Sequence, residues 1–414
     1  MSKAMDSHKK LIIAGMVVTI LIASIIIVRL PAPLGSIIVP DDYSSIQSAV
    51  DHALSGQTIY VRNGIYTEQY VTIDKPLSLI GDNPNSTILV GINNEKYSPP
   101  YVIQISADNV RVSGFTIKNG SLGGIRVETL GSDKQPSGCI ITGNNLLDNA
   151  IGVSTYDGKD LTISNNQISN NTQYGLYVST SNSNIFENSI TGSGWFGILV
   201  DSSNDVSIDH NIITRNGNLQ NNGEQGGICL RWYGNFNVYA NNITNNHGDG
   251  IQFSEGCSNS IIHDNNIEMN NVGVDLFNFA ISNNSGNISI GLDNQVYRNN
   301  LDNHENAFIQ TTFAHGNISN IHYAIGNGTD VVSWDNGAVG NYWSDYNGNG
   351  IYLIDQNNVD HHPLTKQVDI SFETPTVMPL PTGISITAPL VLLVMAIVFG
   401  IASLLLYKRH RKTT

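Results

Sequence analysis

A short pattern that recurs about every 22 to 24 residues constrains this chain more than any other feature. Six segments read apolar, two variable residues, Asn, one variable residue, apolar: ITGNNL, ISNNQI, IFENSI, IDHNII, VYANNI and IHDNNI. Asparagine spacings are 22, 22 and 23 residues, then 30, 24 and 34. Such repetition indicates stacked structural repeats. The shared asparagines are Asn144, Asn166, Asn188, Asn211, Asn241 and Asn265, continued by Asn299 and Asn341.

A second column runs beside the first, in which a glycine precedes alternating apolar residues. It reads GLYV, GILV, GICL, GIQF and GVDL, and we interpret the glycine as the bend before a strand. Strands this short cannot bury an apolar face alone, but each can pair with its counterpart about 4.8 Å away on the next coil. A propeller blade needs about 40 residues, and a leucine-rich repeat would show helical spacers. The pattern therefore predicts an all-β chain folded as a parallel β-helix.

The recurring asparagine has a physical role in such a solenoid. Placed inward at the bend between strands, its amide can donate to and accept from the neighbouring coils, as stacked amides do. Losing one buried partner costs about 1 to 3 kcal/mol. The pattern predicts a ladder of buried asparagine amides along the solenoid.

Both ends of the chain are apolar. Residues 11–30 follow Lys9 and Lys10 and are typical of a signal anchor or signal peptide, and the lack of a small-residue cleavage site favours the anchor. Residues 384–407 are long enough for a transmembrane helix, and the basic tail 408–414 follows. The positive-inside rule then predicts that both termini, residues 1–10 and 408–414, are cytoplasmic. The two apolar segments would lie in the plasma membrane, and the part of the chain between them would be extracellular.

The part of the chain between these segments is strongly acidic. Residues 31–382 carry 12 of the 20 Lys and Arg residues and 33 of the 34 Asp and Glu residues, a net charge of −21. This charge excludes nucleic acid as a partner and repels anionic polysaccharide unless a cation bridges the two. Neutral glycans, divalent cations and basic partners remain compatible.

Two residue types bear on export. Cys139, Cys229 and Cys257 are too few for a disulfide framework and lack zinc-site spacing, so we expect at least two to be buried as small apolar residues. Eight Asn-X-Ser/Thr sequons predict glycan acceptors on an exported surface. These are Asn85, Asn119, Asn170, Asn242, Asn283, Asn287, Asn317 and Asn327.

An N-terminal capping helix is predicted in DDYSSIQSAVDHAL, residues 41–54. Asp41, Asp42 or Ser44 is suited to the N-cap position. Because the first coil of a solenoid would expose a bare strand edge, we expect the helix to lie across it. Its apolar face would consist of Ile46, Ala49, Val50, Ala53 and Leu54.

Two longer stretches carry a family resemblance. Residues 37–91, IIVPDDYSSIQSAVDHALSGQTIYVRNGIYTEQYVTIDKPLSLIGDNPNSTILVG, resemble the start of right-handed β-helix proteins of the pectin-lyase-like superfamily, closest to the NosD-like group. Residues 340–364, GNYWSDYNGNGIYLIDQNNVDHHPL, resemble the closing segment of NosD-like domains. The resemblance implies a right-handed parallel β-helix over residues 31–365, followed by a proline-containing stalk, 366–383. It implies no single activity, because the superfamily mixes lyases, hydrolases, esterases, adhesins and noncatalytic members.

The coils from 194 to 255 hold the residues best suited to bind or cut a sugar. Aromatic faces stack on sugar rings, and carboxylates carry out acid and base chemistry. By repeat alignment, Asp201, Arg231 and Glu255 leave the same strand on successive coils, and Glu224, His247 and Asp249 lie in the matching loops. These six are the catalytic candidates; the candidate ligand-binding aromatics are Trp195, Trp232 and Tyr233. A solvated face held by cross-coil ion pairs is the alternative.

One segment near the end of the predicted β-helix resembles a metal-binding loop. Asp345, Asn347, Asn349 and the backbone of Ile351 match the opening of a calcium loop, although Gln356 replaces the expected glutamate; an asparagine- and glycine-rich turn is the alternative.

Copper is implied by the NosD-like resemblance, because that group includes a protein associated with copper-site maturation. The histidines outside the apolar segments include His361, His362, His210, His247 and His263. His210 and His263 would lie two coils apart, about 9 to 10 Å, which is too far to share one ion, so the residues do not favour copper.

These observations favour a membrane-anchored extracellular surface protein that binds carbohydrate or another cell-surface component. They favour a binding protein over an enzyme; an enzyme using the 194–255 face would be a polysaccharide lyase or a glycoside hydrolase. A NosD-like copper-handling accessory is a third reading.

Overall fold

The computed structural model describes residues 35–370 except 69, 93–100, 130–134, 219–223, 255, 278–279, 283–287, 291–292, 310–331 and 356–357. They belong to one compact unit, Gly35–Met378. The two apolar terminal segments lie outside the described residues, so the membrane anchors remain predictions. Within the described part, no helix is both long enough and apolar enough to cross a membrane.

The described chain consists of one short helix, α1 (Ile46–His52), and many short strands. In chain order, β1 to β17 are Ile37–Val39, Thr58–Val61, Gly64–Glu68, Val71–Ile73, Ser78–Gly81, Thr87–Gly91, Tyr101–Ile105, Arg111–Ser113, Thr116–Lys118, Gly123–Glu128, Ile140–Thr142, Asn145–Leu147, Ile151–Lys159, Thr162–Ser164, Gln167–Ser169, Tyr174–Phe186 and Ser189–Thr191. Strands β18 to β35 are Phe196–Asp209, Ile212–Thr214, Gly226–Gly234, Asn237–Tyr239, Asn242–Thr244, Asp249–Ser254, Ile261–His263, Asn266–Glu268, Val272–Phe277, Ala280–Ser282, Ile288–Ile290, Asn294–Tyr297, Asn300–Asp302, Glu305–Ile309, Val332–Ser333, Tyr342–Trp343, Tyr352–Leu353 and Val359–Asp360.

A regular coil contains three strand positions. In one coil these are β13, β14 and β15, after which the chain enters β16 on the next coil. Each strand pairs in parallel with the strand at the same position one coil away. First and second positions run together in β16 and β18 and belong to one 20-stranded sheet, and third positions form an 11-stranded sheet. The predicted parallel β-helix is confirmed.

Inward side chains stack in columns along the solenoid. At the second position the column is aliphatic and almost fully buried. Each such side chain contributes roughly 1.5 to 3 kcal/mol through burial of apolar surface. The column consists of Ile141, Ile163, Ile185, Ile208, Val238, Ile262 and Val296.

The predicted asparagine ladder is present at the bend between the second and third positions. Asn211 is typical: its Nδ2 donates to Asn241 Oδ1 at 3.0 Å and to Ile185 O at 2.9 Å, and its Oδ1 accepts from the Nδ2 of Asn188 at 3.0 Å. The same contacts repeat from Asn144 to Asn341, and every member is fully buried. Every coil on this column is thus joined to the next by side-chain amides as well as by the strands.

A second ladder, which the sequence reasoning missed, follows the third position. Asn216 Nδ2 donates to Asn246 Oδ1 at 3.0 Å, and Asn246 Nδ2 donates to Asn270 Oδ1 at 2.9 Å. Its signal was a second asparagine five residues after the first in most repeats; Ser193 replaces it in one coil, and Asn303 follows Asn299 by four residues. The ladder consists of Asn149, Asn171, Ser193, Asn216, Asn246, Asn270 and Asn303.

The glycine column serves close approach of the coils rather than a positive-φ bend. A Cβ on Gly227 would lie 2.5 Å from the carbonyl oxygen of Gly250 and 2.6 Å from Ile243 Cγ2. A Cβ on Gly250 would lie 2.7 Å from Gly273 O. A side chain at this position would therefore push neighbouring coils apart.

Helix α1 packs beside the first strands, as the apolar pattern predicted, but two details differ. Ser45 is the N-cap: its hydroxyl accepts from Ser48 N, in place of the three predicted residues. Ile46, Ala49 and Val50 join the core, whereas Leu54 lies beyond the helix and is 71% exposed. The cap role of α1 remains a prediction.

Candidate functional site

We use the name face 1 for the outward side of the first-position strands β7, β10, β13, β16, β18, β20, β23, β26 and β31. Strand pairing sets side chains of successive coils side by side on this face. Its central column consists of Gln104, Arg126, Ser154, Tyr177, Leu199, Cys229, Gln252, Asp275 and Phe308. Face 1 therefore gathers residues far apart in the sequence into one surface.

Asp201 and Arg231, two predicted candidates, meet on this face. They are strand partners on β18 and β20, and Arg231 Nη2 lies 2.9 Å from Asp201 Oδ2. Tyr177 OH donates to the same oxygen at 2.8 Å. Burial by itself would raise the pKa of Asp201, but hydrogen bonds from Arg231 and Tyr177 outweigh it and lower the pKa. Asp201 is thus a fixed anion at neutral pH and not a proton donor.

Aromatic side chains lie next to this ion pair. Trp195 is 41% exposed, and its ring meets Tyr174 edge to face with centroids 5.2 Å apart. Tyr174 in turn lies 5.8 Å from the Tyr177 ring, and burial raises the pKa of Tyr174 to about 12. Burial also raises the pKa of Tyr177, so both phenols remain neutral hydrogen-bonding groups at physiological pH.

The other two predicted aromatics, Trp232 and Tyr233, lie at the bend after Arg231. Both are exposed, and both have positive φ, 56° and 71°. The residue equivalent to Trp232 one coil earlier, Ser202, also has a positive φ, 51°, so this bend is a repeated feature of the solenoid. Trp232 and Tyr233 extend the aromatic margin of face 1.

A pair of carboxylates forms the other end of the site. Asp249 and Asp275 lie close enough for each carboxyl group to shift the pKa of the other. Gln252 Nε2 donates to Asp249 Oδ2 at 2.9 Å. Burial raises the pKa of Asp249 to about 8, aided by the neighbouring charge of Asp275, and burial raises the pKa of Asp275 to about 6. At neutral pH the pair therefore shares a proton held chiefly by Asp249.

Not all candidates converge. Glu224 acts electrostatically on both members of the pair, as does Glu305 on Asp275. His247 lies in the exposed turn before β23. The register places Ser254, not Glu255, opposite Arg231, and Glu255 lies outside the described residues. The sequence reasoning missed Asp275 and Glu305; the strand alternation in GVDL could have placed Asp275 on this face.

A second arginine cluster, also missed, lies earlier on face 1. Arg126 Nη1 donates to Tyr101 OH at 2.8 Å, and its guanidinium forms an ion pair with Glu128. The guanidinium lies 5.0 Å from the Tyr101 ring centroid and 5.8 Å from that of Tyr156. Aromatic rings beside a paired arginine thus occur twice along the face.

The predicted calcium loop directs its oxygens to protein donors. Asp345 Oδ1 accepts from Tyr352 OH at 2.9 Å and from Asn306 Nδ2 at 2.9 Å. Asn347 Oδ1 accepts from Asn349 N at 3.0 Å, and Ile351 is exposed, while Gln356 lies outside the described residues. The geometry favours the turn interpretation over a calcium cage, and calcium binding remains untested.

The described histidines and cysteines do not fit a copper centre. His210 and His263 are separated by the ring of Tyr239, with centroids 6.0 and 5.3 Å from it. His361 Nδ1 lies 3.2 Å from Asp335 Oδ2, next to His362. Within the part of the chain that the structure describes, no three His, Cys, Asp or Glu side chains are grouped to hold a metal ion.

All three cysteines are free and buried. Burial raises the pKa of Cys139 to about 11 and that of Cys257 to about 12, and it also raises that of Cys229. They therefore remain neutral thiols in the wall of the solenoid, not the thiolates that bind metals.

The sequons were predicted as glycan acceptors. Asn85, Asn119 and Asn170 are exposed and Asn242 is partly exposed, so these four are accessible in the described chain. The other four, Asn283, Asn287, Asn317 and Asn327, lie outside the described residues. Glycosylation itself stays a prediction.

Known families and structures match this fold. Residues 151–360 match the family described as Right handed beta helix region, and residues 50–219 match the family described as Periplasmic copper-binding protein (NosD). No curated protein sequence matches the chain.

Solved structures are similar as well. The A-module of mannuronan C-5 epimerase AlgE6 of Azotobacter vinelandii has a TM-score of 0.53 and 14% identity, covering 72% of this chain and 88% of that chain. Pectate lyase Pel9A has a TM-score of 0.50 and 15% identity, and the match covers 71% of this chain and 75% of that chain. At these identities the likeness shows a shared fold.

Proposed function

We propose, from the premise that this chain belongs to the right-handed β-helix family and is NosD-like, that it is an exported protein that binds carbohydrate along face 1. The observation that carries the proposal is the half-exposed Trp195 ring beside the fixed Tyr177–Asp201–Arg231 network. Aromatic rings offer stacking surfaces to sugars, and charged groups already held in place form hydrogen bonds with hydroxyls at little entropic cost.

The length of the face supports a polymeric ligand. The Arg126 cluster on β10 and the Arg231 cluster on β20 are separated by four steps of strand pairing. At about 4.8 Å per coil, they lie about 19 Å apart. Two solved structures with this fold bear the names of a mannuronan epimerase and a pectate lyase, which also favours a polysaccharide as the ligand class.

Binding is favoured over cleavage by the geometry of the acidic pair. Glycoside hydrolases hold two carboxyl groups about 5 to 9.5 Å apart, with room for a water or a sugar carbon. Asp249 and Asp275 instead interact with each other, and each carboxyl group shifts the pKa of the other. Copper handling is not part of the proposal, because the described ligand-type residues do not converge on an ion.

The proposed location is the outer side of the plasma membrane. The terminal apolar segments 11–30 and 384–407 would anchor the chain, and the NosD family is described as periplasmic. Membrane fractionation combined with protease treatment of intact cells tests this placement: the β-helix should pellet with membranes and be cleaved from outside.

A polysaccharide array tests the binding function. We expect the full chain in detergent to bind at least one neutral polysaccharide, and Trp195→Ala to weaken that binding about tenfold or more through loss of the stacking surface. Exposed Ile65→Ala, on β3 in the third-position sheet and so away from face 1, is the control and should bind as wild type. Wild type and Trp195→Ala binding equally well, or wild type failing on every polysaccharide, would contradict the proposal. A reducing-end assay on the same array should stay at background.

A further inference from the structure

The acidic end of face 1 contains a buried acceptor with no partner. We use the name acidic cluster for Glu224, Asp249, Asp275 and Glu305. Asp275 is only 6% exposed, and within the described part of the chain its Oδ1 has no hydrogen-bond partner. Leaving a buried carboxylate oxygen unpaired costs free energy, so an unsatisfied oxygen on an outward strand position requires an explanation.

The environment of this oxygen is negative on several sides. Asp275 projects from β26 between inward Val274 and Leu276, so its carboxylate lies on face 1. Glu305 on β31 and Glu224 before β20 both raise its pKa through their charge, after the larger effect of burial. Both glutamates are exposed, so the cluster opens to solvent at its margin.

Asp275 Oδ1 therefore favours a hydrogen-bond donor that carries positive charge. A metal ion is disfavoured, because no metal-holding group of three side chains exists among the described residues. An ammonium group needs no such cage: it is a compact cation whose N–H groups donate singly to separate acceptors. It would satisfy Asp275 Oδ1 and be attracted by Glu224 and Glu305.

We propose that the acidic cluster binds the protonated amino group of an amino sugar, so that the ligand of face 1 is a glycan with free amino groups. This inference rests on the proposed carbohydrate function and names its ligand class. The chain's net charge of −14 attracts cationic polymers in the same direction.

Binding of an ammonium group to the acidic cluster should be linked to the release of a proton. Without ligand, the pair retains a proton on Asp249 at neutral pH, because two adjacent buried carboxylates do not both ionise, and at about pH 6 Asp275 is also protonated part of the time. An ammonium group replaces that proton as the neutralising charge: the Asp249 proton leaves to solvent, the carboxylate remains, and the amine keeps its own proton. Groups facing the pair are Glu224, Glu305, Gln252 and the neutral thiol of Cys229.

Calorimetry with defined hexamers tests the inference. At about pH 6, where primary amines are charged, the glucosamine hexamer should bind at least tenfold more tightly than the N-acetylglucosamine hexamer. Titrations in buffers of different ionisation enthalpy should show proton release. Asp275→Asn should abolish the preference, and Asp302→Asn, an exposed carboxylate on the third-position sheet, should keep it.

The outcomes separate this inference from the proposed function. Equal binding of both hexamers, or a preference unchanged in Asp275→Asn, overturns the amino-sugar inference while Trp195-dependent glycan binding can still stand. A lysine hexapeptide that binds as tightly, with the same dependence on Asp275, overturns it in favour of a basic peptide. Calcium chloride that releases the proton from wild type but not from Asp275→Asn overturns it in favour of a metal.

If Asp275→Asn does not fold, exposed Glu305→Gln should weaken the preference for the glucosamine hexamer severalfold. No change in that variant also overturns the inference.

Discussion

Two stacks of polar side chains run along the same coils, one inside the solenoid wall and one on face 1. Inside, Asn211 and its equivalents use both amide atoms on neighbours above and below. On face 1, the neighbouring Asp249 and Asp275 share a proton, and one oxygen of Asp275 has no described partner. Both stacks are buried and both follow the coil spacing.

The difference lies in which groups are repeated. An amide carries a donor and an acceptor, so identical amides satisfy one another indefinitely and add stability with each coil. A carboxylate carries acceptors alone, so stacking it leaves charge and an open acceptor that need a proton or a ligand. The interior stack therefore serves the fold, and the face 1 stack is available for function.

The largest expected effect comes from breaking the interior ladder. Asn211→Ala leaves the buried backbone N of Asn188 without its acceptor and removes the hydrogen bonds from Nδ2 to Asn241 Oδ1 and Ile185 O. At about 1 to 3 kcal/mol per unsatisfied buried group, we expect a loss of about 3 kcal/mol or more in the free energy of unfolding. Urea unfolding followed by circular dichroism measures it.

The neighbouring outward residue supplies the control for that experiment. Asn242 directly follows ladder residue Asn241 but is partly exposed at the start of β22. Asn242→Ala should change stability by about 0.5 kcal/mol or less, as surface substitutions do. Equal effects of the two alanine variants would refute the distinction between the inner and outer stacks.

A second prediction concerns the packing distance between coils on which both stacks depend. Gly227→Ala places a methyl group 2.5 Å from Gly250 O, so the coils must separate locally. We expect a loss of about 2 kcal/mol, the range of overpacked cores. Thermal unfolding measures it, and a variant as stable as wild type would mean that the glycine column is not required for close approach.

The interior stack was predictable from sequence, whereas the face 1 stack was predictable only in part. Asn144 to Asn341 recur with a fixed neighbourhood, so periodicity alone reveals them. The Asp201–Arg231 pair was also found, since one repeat shift relates them. Asp275 was missed because its role depends on its interaction with Asp249, three residues out of strand register, and periodicity does not report such diagonal contacts. The repeat alignment also erred by one residue, because it placed Glu255 opposite Arg231, whereas the strand partner of Arg231 is Ser254.

The smallest expected effect is a pH dependence that belongs to face 1 alone. Burial raises the pKa of Asp249 to about 8 and that of Asp275 to about 6, whereas an unfolded chain loses these protons near about pH 4. The folded chain therefore binds more protons between those values. Stability from this pair is complete below about pH 4 and is lost as the pH rises through about 6 and then 8. The slope is at most about 1.4 kcal/mol per pH unit for each extra proton.

Substitution of one carboxylate isolates that slope from the rest of the chain. Carboxylates with a lowered pKa, such as Asp201 and Asp264, give stability that is present above about pH 4 and is lost as the pH falls below it, so their pH dependence does not overlap this one. Urea unfolding of Asp249→Asn from about pH 5 to 8 should show a flatter pH dependence than wild type, while Asp302→Asn should retain the wild-type slope. Identical slopes in all three proteins would mean that the pair holds no shared proton, and the contrast between an amide stack that is complete and a carboxylate stack that needs a cation would lose its physical basis.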